Sequence, residues 1–193
     1  MPDKLCDARL VERARRGDEA ATNELLRRIR PAVFTFVRAI VQRDDWAEDA
    51  TQLTLMHVVR DLGEFNPARG EFRSWVYSIA KTEALMMLRC ENRHPSDDLD
   101  EMPESEEPAG CGPGPEDDYR HLVEQEEADE LLATLKSEER VAVTLFFFGD
   151  MNKKQIAAII GKSEHTARYR ILCGLAHMKA EAERRGMRSS GVR

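Results

Sequence analysis

Between Pro95 and Asp118 the chain carries five prolines, several glycines and many carboxylates, but no lysine or arginine. A stretch of this kind has too little apolar surface to offset the entropy of ordering it. It is expected to be a flexible acidic linker, which leaves a helix-forming block on either side, each long enough for one small core. A solvated spacer is the plain reading of its charge. A weaker one is that the charge screens a DNA-binding face. The expected organisation is all-α: a first domain over residues 1–94, the linker over 95–119, a second domain over 120–185 and a basic tail over 186–193.

Helical spacing dominates both blocks. Leu10, Val11 and Ala14, then Ala21, Leu25, Leu26 and Ile29, recur every three or four residues. Asp18, after Gly17, is the predicted N-cap of the second of these helices. Pro31 falls near the start of what reads as another apolar stretch, Val33 to Val41. Asp44 and Asp45 open a further segment whose apolar face is predicted to be Ala50, Leu53, Leu55 and Val58. Asn66 to Gly70 is a turn by composition, and Phe72 to Leu88 is helical again. After the linker, helices are predicted over Leu122–Leu135, Glu138–Phe148, Lys153–Ile160 with Asn152 as cap, and from Ser163 to about Glu183. No long alternating stretch predicts a strand.

The formal net charge of −7 argues against a general nucleic-acid binder. The distribution of charge argues otherwise. From Lys153 to Leu172 the sequence fits a helix-turn-helix, with Ala157 small enough for two helices to approach and Gly161 at the turn. Ile156, Ile159, Ile160, Ala167 and Ile171 are its predicted core. Lys162, His165, Thr166, Arg168, Tyr169 and Arg170 remain outward, as donors for phosphates and base edges at a helix N-terminus. An ordinary helical hairpin with a solvated basic face is the alternative.

Other chemistries find little support. The cysteines Cys6, Cys90, Cys111 and Cys173 are scattered and form no CxxC pair, so neither a zinc site nor a disulfide framework is expected. His57, His94, His121, His165 and His177 are isolated in sequence. With no Gly-rich phosphate loop and no nucleophile motif, no catalytic residue, metal or cofactor is expected. No apolar run reaches the roughly 18 residues of a membrane span, and no signal peptide is read at the N-terminus. A soluble cytoplasmic protein is expected.

Several runs together resemble the extracytoplasmic-function (ECF) sigma factors of the sigma-70 family. They are Ala47 to Gln52, Phe65 to Lys81, Glu138-Glu139-Arg140, Gln155 to Gly161 and His165 to Arg170, in that order and spacing, over about residues 8–90 and 120–182. The resemblance implies a region 2 helical bundle and a region 4 helix-turn-helix, with core RNA polymerase and promoter DNA as partners. It implies polymerase docking through Glu48, Asp49 and Gln52. Arg73, Trp75, Lys81 and Arg89 are implied at the melted −10 element, where bases stack on aromatic faces. Core packing is favoured over DNA contact for Phe72 and Trp75. The −35 element is assigned to His165, Thr166, Arg168, Tyr169 and Arg170, with Arg140 clamping a phosphate. A helix-turn-helix regulator with a ligand-sensing first domain is the alternative function.

The chain departs from the family pattern at three places. Leu53 stands where a carboxylate usually follows the glutamine. Thr51 and Thr54 flank the gap, and a phosphate on Thr51 would restore negative charge there. This leads to the expectation of a Ser/Thr kinase switch at Thr51, with Thr54 as second choice; an anti-sigma factor is the other expected form of control. The plainer alternative is a surface threonine beside a tolerated leucine. Glu83, Met86 and Met87 stand where relatives often have polar or basic residues, which puts −10 specificity in question. Phe146, Phe147 and Phe148 cannot all face one core, so at least one is expected to be exposed or to meet a partner.

Overall fold

The computed structural model describes residues 8–91, 125–149 and 151–185. The expected linker, the basic tail and the start of the helix expected from Leu122 lie outside the described residues. The chain divides into two compact units after Glu91, and no strand occurs among the described residues.

The first unit contains α1 (Ala8–Arg15), α2 (Glu19–Val41), α3 (Asp44–Asp61) and α4 (Phe72–Glu91). α2 packs against the other three helices, and α3 packs against α4. Gly17 turns the chain with φ +86°, a conformation that L side chains rarely adopt. Asp18 then caps α2 as predicted, accepting from the Ala21 amide at 3.0 Å.

The proline at position 31 begins no new element: α2 runs through it without a break. A proline inside a helix costs about 3 kcal/mol. Leu25, Ile29, Val33, Phe36, Val37 and Ile40 continue one buried stripe across it. Each such side chain contributes roughly 1.5–3 kcal/mol on burial, so the stripe outweighs the proline, which is itself exposed.

The predicted face of α3 also needs correction. Its buried residues are Ala47, Ala50, Thr51, Thr54 and Val58, whereas Leu53 is exposed and Leu55 only half-buried. Ala47, Ala50, Thr51, Thr54 and Val58 follow the three- and four-residue spacing of a helix face. Alanines and threonines on that face let α3 lie close to both α2 and α4, where leucines would hold it away.

Two short 3-10 turns, Leu62–Glu64 and Pro67–Arg69, lead to α4. Asn66 folds the second by accepting from the Ala68 amide at 2.9 Å. Phe65 and Phe72 are buried edge to face, their centroids 5.3 Å apart. Tyr77 meets Phe36 of α2 in the same manner at 4.9 Å. Glu83 is 6% exposed, and its carboxylate lies 3.0 Å from Nδ1 of His57 on α3.

The second unit contains α5 (Gln125–Ala133), α6 (Ser137–Phe147), α7 (Lys153–Ile160) and α8 (Glu164–Arg184). α8 is its centre and packs against α6, α7 and α5. At Gly174 an added Cβ would lie 2.6 Å from Val143 Cγ2, so α6 and α8 approach as closely as glycine allows. Asn152 and Gln155 form a full capping box on α7, and Ser163 caps α8. Gly161 supplies the turn with φ +69°. Of the three phenylalanines, Phe146 is buried and Phe147 and Phe148 are half-buried, so none stands fully exposed.

Candidate docking helix and nucleic-acid interface

α3 turns a polar face outward. At about 3.6 residues per turn, Asp45, Asp49 and Gln52 fall on one stripe with Glu48 at its edge, and all four are exposed. Asp45 accepts from Arg43 at 2.7 Å, which holds its carboxyl below the usual carboxylate range. The Arg43 guanidinium lies over the Trp46 ring at 4.1 Å. Glu48 pairs with Arg30 of α2 at 2.8 Å. The expected docking residues Glu48, Asp49 and Gln52 are therefore brought together on one helix surface. The stripe continues into residues that the sequence reading passed over: Met56 is 59% exposed and Val59 is 45% exposed. Their spacing from Asp45 was the available signal.

Thr51 and Thr54 lie on the opposite face. They are 1% and 0% exposed. Thr54 Oγ1 donates to the Ala50 carbonyl at 2.7 Å, while Thr51 Oγ1 is buried with no hydrogen-bond partner among the described residues. A kinase cannot reach either hydroxyl in the folded unit, and a phosphate dianion inside the bundle would carry a desolvation penalty of several kcal/mol. The expected phosphothreonine switch thus meets a buried site, because the helix faces the other way from the one assumed.

The residues expected at single-stranded DNA do not share a face of α4. Trp75 and Arg89 lie on its outward arc with Thr82, and Lys81 lies on the flank. Trp75 is half-buried between Phe65 and Phe72, with ring centroids 5.4 and 5.6 Å away. That agrees with core packing for Phe72, while Trp75 keeps part of its surface in solvent. Arg73 lies on the inward arc, its guanidinium 5.8 Å from the Tyr77 ring centre. Glu83 is removed from the outward arc altogether by its pairing with His57.

The α7–Gly161–α8 arrangement reproduces the predicted helix-turn-helix core, with Ile156, Ala157, Ile159, Ala167 and Ile171 buried and Ile160 half-buried. Lys162, His165 and Arg168 are exposed at and just after the α8 N-terminus, and Tyr169 is half-buried. Thr166 is partly committed to the cap: its hydroxyl lies 2.9 Å from Ser163 Oγ, and its amide donates to the same oxygen. Two expected DNA contacts are used inside the unit. Arg170 pairs with Glu138 of α6 and is mostly covered. Arg140 donates to the Ala133 and Leu135 carbonyls at the end of α5, at 3.0 and 2.9 Å. Burial lowers its pKa from the ordinary arginine value. A guanidinium in either position ties helices together before it meets a phosphate.

No group of His, Cys, Asp and Glu among the described residues could hold a metal ion. No helix among them is long and apolar enough to cross a membrane.

Known proteins resemble both units. Residues 25–94 match the family Sigma-70 region 2, and residues 125–178 match Sigma-70, region 4. The chain is 30% identical over 178 residues to the ECF RNA polymerase sigma-E factor of Escherichia coli, covering 89% of this chain and 91% of that one. It is 27% identical over 162 residues to the ECF RNA polymerase sigma factor RpoE of Cereibacter sphaeroides, covering 84% and 86%. Among solved structures, CnrH in complex with the cytosolic domain of CnrY has the same fold, with a TM-score of 0.65 at 19% identity, over 91% of this chain and 96% of that one. The sigma factor RpoE of Bartonella quintana, solved with the anti-sigma factor NepR, aligns with a TM-score of 0.64 at 21% identity, over 83% and 96%.

Proposed function

The chain belongs to the ECF sigma factors of the sigma-70 family and directs RNA polymerase, and from that premise we propose which surfaces do the work. The first domain, residues 1–94, docks on core polymerase through the outward stripe of α3. The second, residues 120–185, reads promoter DNA through the start of α8. The observation that carries this reading is the stripe itself: Asp45, Glu48, Asp49 and Gln52 all reach solvent on one helix surface. Exposed carboxylates facing a basic partner give steering and register.

On α4, the half-buried Trp75 stacks with an unstacked base, and Lys81 and Arg89 neutralise backbone phosphates. At α8, Lys162, His165, Arg168 and Tyr169 enter the major groove, and the capped N-terminus meets a phosphate. Arg140 and Arg170 hold the helices of the second unit in place. The sensor-domain alternative loses its ground to the region 2 match over residues 25–94. For control, a protein that covers the docking face, as an anti-sigma factor would, suits the geometry better than a kinase acting on the buried Thr51.

Run-off transcription with core polymerase tests the reading. Wild type is expected to give promoter-dependent transcripts, and Asp49→Arg to lose polymerase binding while keeping DNA binding by the second domain. A wild-type chain that leaves core polymerase unbound would end it.

A further inference from the structure

The outward stripe of α3 does not end with its carboxylates. Asp45, Asp49, Gln52, Met56 and Val59 follow one another at spacings of four, three, four and three residues. That is the spacing of a coiled-coil seam. The seam changes character midway: its first turns are acidic, while Met56 and Val59 are large, apolar and exposed. Leu53, 36% exposed, flanks Met56 on one side. On the other side the apolar surface runs into a groove of about 560 Å³ whose apolar lining is Leu26 of α2 and Leu55, Met56 and Val59 of α3, with Arg30, Glu48, Gln52 and Arg60 as its polar lining. The apolar patch thus crosses the seam from Leu53 to Leu26. Thr51 and Thr54 are buried on the same helix. Exchanging leucine and methionine outward for threonine inward gives up burial energy in the free protein, and a contiguous exposed patch of this kind marks a surface that is covered in a complex.

We infer that Leu53 and Met56 are specificity-determining residues for polymerase docking, and that this chain grips its polymerase by a mixed seam, acidic at one end and apolar at the other. The occupant is one amphipathic helix of core polymerase. It carries basic residues opposite Asp45 and Asp49, and an apolar side chain that enters the α2–α3 groove. The patch is continuous with the acidic docking face, so one helix spans both. The inference rests on the reading of α3 as the docking helix. It reverses the simplest reading of Leu53: the leucine is no lost carboxylate awaiting a replacement charge but an apolar contact in its own right.

The test is titration of the full-length chain against its cognate core polymerase, for wild type, Asp49→Arg, Leu53→Glu and Met56→Gln. Circular dichroism melts check that each variant folds. Asp49→Arg is expected to weaken binding about tenfold or more through like-charge contact. Leu53→Glu is also expected to weaken it about tenfold, by placing an unpaired charge in an apolar contact, and Met56→Gln about threefold to tenfold. Wild-type affinity is expected to retain a component that raised salt does not remove. Leu53→Glu binding as tightly as wild type, or more tightly, while Asp49→Arg binds poorly would overturn the inference and leave the docking role of α3 intact. An Asp49→Arg chain that binds like wild type would instead overturn the docking role, and the inference with it.

Discussion

The two units bury similar kinds of residue but differ in what they leave at the surface. In the second, apolar side chains fill most of the core, with Thr144 and Glu181 buried among them, and the other charged ones either face out, as Lys162 and Arg168 do, or tie helices together, as Arg170 and Arg140 do. The first also buries polar groups, Thr51, Thr54 and Glu83, but it alone, among the described residues, exposes large apolar side chains: Leu53, Met56, Val59 and Met86. A unit that recognises a polyanion needs only cations on a well-packed scaffold. A unit that recognises a protein surface keeps apolar side chains in water until the partner covers them. The difference fits the proposal that the first unit docks on a protein and the second on DNA.

The sharpest way to break the comparison is to unfold one unit and watch the other. Phe36 is fully buried at the centre of the first bundle. Phe36→Ala is expected to cost about 4 kcal/mol and to abolish polymerase binding. DNA binding by the second domain is expected to survive, as a gel-shift assay would read. Loss of both would show that the units do not fold separately.

Gly174→Val probes the second unit with the opposite change. Its side chain would meet Val143 of α6, at an overpacking cost of about 1–3 kcal/mol. Thermal denaturation is expected to show a lower Tm for this domain alone.

Two arginines two residues apart separate reading from bracing. Arg168→Ala is expected to weaken promoter binding by about 1–3 kcal/mol with little change in stability. Arg170→Ala is expected to lower stability first, since Glu138 would lose its partner. Equal effects of both on affinity, with stability unchanged, would place Arg170 at the DNA after all.

Thr51→Val sharpens the contrast in the first unit. The hydroxyl is buried without a partner, so its replacement by an isosteric methyl is expected to stabilise the unit by about 1 kcal/mol and to leave polymerase binding unchanged. A chain switched on by phosphate at Thr51 would instead lose its activity with this variant.

The smallest effect concerns the α2 cap. The Ala21 amide and then Arg13 hold the Asp18 carboxyl below its usual value of 3.8. Because the folded pKa is depressed, its contribution is fully present above the unfolded value and is lost as pH falls through the folded one. NMR titration is expected to place the Asp18 midpoint below that of an unstructured aspartate. A midpoint at the ordinary value would show that the cap is not made in solution.

Much of the fold and part of the site were legible in the residues. Three- and four-residue periodicity located the helices, Asp18, Asn152 and Ser163 capped them, and Gly161 marked the turn. These features are local: a cap or a turn is set by a few bonds within one stretch of chain. The exposed Glu48, Asp49 and Gln52 and the start of α8 were legible for the same reason. What failed was nonlocal. Pro31 looked like a boundary because the stripe that carries α2 through it is stabilised only by the helices packed against it. That Arg140 and Arg170 bond within their own unit was not legible either, because a cation at a helix surface reads alike whether a carbonyl, a carboxylate or a phosphate lies nearby. Hydrophobicity alone put Leu53 inside α3 and Thr51 outside. Sequence periodicity determines that α3 is a helix with two competing faces. The tertiary structure decided which face turns inward, because close packing against both α2 and α4 selects side-chain size there before it selects polarity.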